Sequence, residues 1–145
     1  MGLTPARAGR HVRRMDEHAP PVRLARRVFR IAGIYGLIVL LPLFFAEGMI
    51  ARYAPPGLTH PEYYYGFLGA ASAWQLVYLT IAGDPIRYRR LMPIAVLAKL
   101  SFSATVAILF GAGRLDPASL SLPAVDLLLG IAFAIAWLRF RKVPG

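Results

Sequence analysis

The chain has no cysteine. That excludes disulfides, thiolate metal sites and any thiol–disulfide relay across a membrane. Histidine is scarce: His11, His18 and His60 all lie outside the long apolar runs, which excludes bis-histidine haem ligation within a bilayer. Acidic residues are few, 7 against 17 Lys and Arg, for a net charge of +10. Established catalytic constellations are missing as well, with no G-x-S-x-G elbow, phosphate loop, HExxH or intramembrane Ser–His pair. No cofactor and no metal site is expected.

What is abundant is apolar sequence. Of 145 residues 57% are hydrophobic and the mean hydropathy is +0.53, too apolar for a soluble chain of this size. Four runs, Ile31–Ile50, Tyr64–Ala82, Leu91–Phe110 and Leu120–Leu138, each hold at most one charge. Each is close to the ~20 residues that cross a hydrocarbon core. The expected fold is all-α: a polytopic membrane protein with an antiparallel four-helix transmembrane bundle, short connections placing successive helices antiparallel.

The basic residues are distributed unevenly. Eight precede the first run (Arg7, Arg10, Arg13, Arg14, Arg23, Arg26, Arg27, Arg30), three join runs two and three (Arg87, Arg89, Arg90), and three follow run four (Arg139, Arg141, Lys142). The other two connections hold only Arg52 and Arg114. The positive-inside rule then puts both termini in the cytoplasm, in a bacterial inner membrane. The same distribution argues against nucleic acid as the partner of the charge. Residues 1–27 read as a basic, mostly disordered cytoplasmic tail, residues 28–140 as the transmembrane domain, and residues 141–145 as a second tail. The first tail either touches anionic lipid heads, at ~1 kcal/mol per basic residue, or serves only as a topology signal. Arg26-Arg27-Val28-Phe29 is similar to the core of a twin-arginine export signal, but Ala46-Glu47-Gly48 is a poor cleavage site and three more runs follow. These arginines are expected to anchor the first span.

Local signals mark the connections. Pro55-Pro56-Gly57 cannot extend a helix, and Thr59-His60-Pro61-Glu62 reads as a capping box. Asp84-Pro85 and Asp116-Pro117 each read as cap and helix start. Tyr53, Tyr63, Tyr64 and Tyr65 form an aromatic belt at the outer interface. Gly66, Gly69, Ala70 and Ala73 give run two small-residue ridges suited to close helix packing.

Four polar groups inside or beside the spans are candidates for a site: Glu47, Gln75, Lys99 and Asp126. A lone lysine mid-span costs ~2.5–3.5 kcal/mol on insertion scales, so Lys99 must snorkel, face a wet cavity or find a partner. Ser103, one turn on, extends its polar face. At ~1.5 Å per residue the four groups stand ~24, ~10, ~12 and ~18 Å from the cytoplasmic side. Because a helical Cα–Cβ bond leans toward its N-terminus, Lys99 leans inward and Asp126 outward, which argues against that pair. The same rule favours a Gln75–Lys99 hydrogen bond. It also lets Glu47 approach Asp126, two carboxylates that would share a proton in an outer pocket with Arg52 nearby.

In size, span count and the character of Ile34-Tyr35-Gly36, Pro61-Glu62-Tyr63-Tyr64-Tyr65-Gly66 and Lys99-Leu100-Ser101-Phe102, the chain resembles the DoxX-like group of small four-span bacterial membrane proteins. The resemblance implies a compact bundle, sometimes linked in that group to redox or stress physiology, and carries no catalytic residue. The expected role is a non-enzymatic accessory subunit or homo-oligomer. The alternative is a small transporter or lipid-substrate enzyme with a polar intramembrane pocket.

Overall fold

The computed structural model describes residues 19–53 and 57–141, and every regular element among them is helical. The elements are α1 (Pro20–Leu43), α2 (Glu47–Tyr53), α3 (Pro61–Gly83), α4 (Met92–Gly111) and α5 (Ser121–Phe140). Short 3-10 turns, Arg89–Leu91 and Pro117–Leu120, lead into α4 and α5. With those turns included, α3, α4 and α5 are each long and apolar enough to cross a membrane. The pair α1 and α2 passes the same test only together, bent by 72°. The chain is a multi-pass membrane protein. Most of the basic tail, Pro55-Pro56 and the residues after Arg141 lie outside the described residues, so the expected tail–lipid contact does too.

The first helix begins at Pro20, so residues 20–27 belong to the bundle and not to a tail. Proline suits a helix's first turn, where its missing N–H is no loss. Val22, Ala25, Phe29, Ala32, Gly33 and Gly36 recur at helical spacing and are all buried. Arg23, Arg27 and Arg30 take the exposed side. Phe29, part of the export-like tetrapeptide, is a core residue. At its other end α1 contains Pro42, which lacks an amide for the helical ladder, and the helix stops one residue later. Ile31–Ile50 is therefore not one straight span.

Other boundaries differ in detail. The capping box does not form: the N-cap of α3 is His60, without a side-chain cap bond, and the Glu62 carboxylate instead meets His60 Nδ1 at 3.2 Å. Asp84 does accept the Arg87 N–H at 3.0 Å, turning the chain toward α4. Asp116 makes no side-chain cap; its carbonyl accepts from the Ser119 N–H at 2.9 Å, which starts a 3-10 turn rather than an α-helix.

Packing is uneven. Helix α1 lies against α3 and α5, and α4 lies against α5, whereas α3 and α4 barely touch although a short connection joins them. Helices α3 and α4 are thus neighbours in sequence without being packed on one another. Two close approaches fix the α1–α3 contact. A Cβ on Gly33 would lie 2.8 Å from Leu79 and 3.0 Å from the Gln75 carbonyl, and one on Gly36 would overlap the Gln75 side chain. The core gathers at the end holding the start of α1 and the finish of α5, where Phe29 stacks on Phe133 at 4.1 Å and Tyr78 meets Phe133 edge-on at 4.9 Å. Away from that end the aromatic core gives way to polar residues and cavities.

Candidate functional site

Lys99 projects from α4 and Asp126 from α5, and Lys99 Nζ lies 2.6 Å from Asp126 Oδ1. This overturns the expectation that their side chains diverge. The Cα–Cβ lean is real, but the four-carbon lysine stem outreaches it. Gly130, one turn below Asp126, completes the geometry. A Cβ there would stand 2.9 Å from Leu100 and 3.3 Å from the Lys99 Cβ, so glycine lets α5 close on α4. Ser103 binds the two helices one turn further, its hydroxyl 2.9 Å from the Pro123 carbonyl and 3.2 Å from that of Lys99.

Lys99 is buried, 7% exposed, and does not snorkel. Its ammonium also stands 5.6 Å from the centre of the Tyr78 ring, on α3, within cation–π reach. An ammonium has three donors, and one hydrogen bond is made to a side chain among the described residues. Asp126 keeps 23% of its side chain open. The pair is neutral as a whole and retains hydrogen-bonding capacity.

The other candidates fall elsewhere. Gln75 is buried beside the pair but does not bond Lys99; its Nε2–H donates to Ala71 O of its own helix at 3.0 Å. Its Oε1 is buried without a partner, seated over Gly36. Glu47 does not approach Asp126. It is exposed on α2 and accepts a hydrogen bond from Tyr65 at 2.8 Å, because the break after α1 carries it off the bundle axis. Arg52 is exposed on the same short helix and makes no ion pair among the described residues. Tyr64 donates to the Leu43 carbonyl at 2.8 Å, which also accepts the Ala46 N–H at 3.1 Å just past the end of α1. These tyrosines tie the bend to α3. Gly66, Gly69, Ala70 and Ala73 are exposed, and no neighbour lies within van der Waals reach of a Cβ on Gly66 or Gly69.

Two cavities meet at the ion pair. A groove of about 540 Å³ opens between α3 and α4, with Trp74, Tyr78, Ile94 and Leu97 on its walls. A smaller cavity of about 90 Å³ lies inside, against Tyr35, Val39 and Leu122. Phe67, Ala71, Gln75, Lys99, Phe102 and Asp126 line both. Across the gap between α3 and α4, Phe67 and Phe102 stack at 5.5 Å.

No family model, curated protein or solved structure matches the chain. Among the described residues no group of three or more His, Cys, Asp or Glu is placed to hold a metal ion. A charged pair at the floor of an apolar groove open to one side is suited to hydrogen-bond the head of an amphiphile whose body lies along the walls. Sequence reasoning found Gln75, Lys99 and Asp126 but missed Tyr78, Phe67 and the role of Gly130. Gly130, at i+4 from Asp126, was the available signal: an intramembrane charge and a glycine on one face mark where another helix approaches.

Proposed function

We propose that this chain is a four-span protein of the bacterial cytoplasmic membrane, with both termini cytoplasmic, that takes a lipid-soluble, uncharged but polar-headed molecule from the bilayer. The single observation that carries this reading is the Lys99–Asp126 pair at the junction of the groove and the inner cavity. A mid-membrane ion pair is costly, and one placed at the back of a cavity has polar capacity to offer a ligand. The α3–α4 gap is the lateral entrance, and the Phe67–Phe102 stack stands within it. This is the transporter-like alternative among the two sequence expectations, and it is compatible with the DoxX-like resemblance in size and span number.

The test uses Trp74, on the groove wall, as reporter in a Trp137→Phe background. A dibrominated fatty amide, whose head offers an acceptor to Lys99 and donors to Asp126, is added to phosphatidylcholine vesicles containing the protein. Saturable quenching of Trp74 is expected. In Lys99→Met/Asp126→Leu the apparent affinity should fall about tenfold, the value of a lost charge-assisted hydrogen bond. Quenching that never saturates, or is equal in both proteins, overturns the reading.

One observation favours a second reading, the accessory subunit or homo-oligomer. The small-residue face of Gly66, Gly69, Ala70 and Ala73 is exposed and offers close approach to a helix of another chain. If so, Gly69→Leu should reduce the mass of the particle measured by light scattering in detergent while leaving the chain's own stability within about 0.5 kcal/mol. An unchanged mass removes this reading.

A further inference from the structure

The arginines at the α4–α5 end of the bundle do more than mark its orientation. Arg89 and Arg90, on the 3-10 turn entering α4, and Arg141, at the finish of α5, surround a cavity of about 410 Å³. Its remaining lining is Pro93, Trp137 and Phe140. Phe140 is buried, Trp137 is half-buried, and the Arg141 guanidinium stands over the Trp137 ring at 5.3 Å from its centre. All three arginines are exposed, and among the described residues none of them forms an ion pair. The cavity therefore has a cationic rim and an apolar, aromatic floor, at the level where the transmembrane helices end.

We propose that this cavity is a binding site for an anionic phospholipid, with the phosphate held by Arg89, Arg90 and Arg141 and the glycerol and upper acyl chain resting on Pro93, Trp137 and Phe140. Guanidinium forks match phosphate oxygens in pairs, and three arginines line this one cavity. Basic pockets between transmembrane helices are a recurring way of holding lipid heads, and tryptophan commonly stands at that depth. A free anion would use the rim but has no use for the apolar floor. The site is separate from the Lys99–Asp126 groove, with which it shares no lining residue.

The experiment uses the whole chain in a neutral detergent with Trp74→Phe, which leaves Trp137 as the reporter, since the chain has 2 tryptophans. Short-chain phosphatidylglycerol, short-chain phosphatidylcholine and inorganic phosphate are titrated separately. A saturable change in Trp137 emission is expected with phosphatidylglycerol and not with the other two. R89Q/R90Q/R141Q should weaken it about a hundredfold, or about fivefold for each arginine removed. R90Q alone, at an exposed position, should show its own fivefold loss, so the result does not depend on the triple variant folding well. R23Q/R27Q/R30Q removes the same charge from exposed positions on α1, on the arginine-rich side of the bundle, and should cost less than about fivefold. Equal losses in the two triple variants would mean a diffuse surface potential and overturn the site. An equal response to inorganic phosphate would overturn the lipid as its occupant. No response to phosphatidylglycerol would also overturn it and turn attention to an acidic protein segment.

Discussion

Lys99→Met and Asp126→Leu, made singly, should each destabilise the bundle by about 3 kcal/mol, the lower part of the range for breaking a buried ion pair. Lys99 is 7% exposed, and its partner's side chain is 23% exposed, so the survivor of either change is left with little water and no counter-charge. The lower part of the range applies because the groove admits some relaxation at Asp126. The double variant Lys99→Met/Asp126→Leu should recover most of the loss, since two apolar side chains of similar volume replace two desolvated charges. Unfolding of the four proteins by a denaturing detergent gives the double-mutant cycle. A coupling near zero would mean that the 2.6 Å contact contributes nothing to holding α4 on α5.

Gly33→Leu should cost about 2–3 kcal/mol, the cost of overpacking a tight contact. The new Cβ meets Leu79 at 2.8 Å and the Gln75 backbone carbonyl at 3.0 Å. A side chain can turn away, but the carbonyl belongs to α3 and moves only with that helix. The remaining leucine atoms therefore force α1 off α3, and with it the Phe29 ring from its stack on Phe133. Gly69→Leu is the control on α3: its Cβ meets nothing, and leucine favours a helix more than glycine does. Thermal unfolding of the two variants beside wild type checks the contrast. Equal loss in both would mean that the α1–α3 approach is not what Gly33 serves.

The contrast between these two glycines shows how far the sequence could be read. Gly66, Gly69, Ala70 and Ala73 form the more obvious small-residue pattern, yet the approach between α1 and α3 uses Gly33 and Gly36. A stripe of small residues says that a helix can be approached, not that its own chain approaches it. The start of α1 was hidden for a different reason. Its apolar stripe from Val22 to Phe29 lies among four arginines, so neither mean hydropathy nor the charge count marks a helix there. Glu47 was misplaced because Pro42 signals a local kink in the apolar run but neither the size nor the direction of the 72° break that follows it.

Composition and charge by themselves determined that the described elements are helices and that the chain is multi-pass in a membrane, because in lipid a chain must satisfy its backbone internally and helices do this residue by residue. They also singled out Lys99 and Asp126, since a charge in an apolar run is visible without any fold. Only the tertiary structure decided which charge meets which. The reach of a lysine stem and the approach allowed by Gly130 outweighed the direction of two Cβ bonds. It alone decided, too, that α3 and α4 stand apart and leave a groove, because which helix faces pack is set by the fit of all the helices together and not by the length of the loop between two of them.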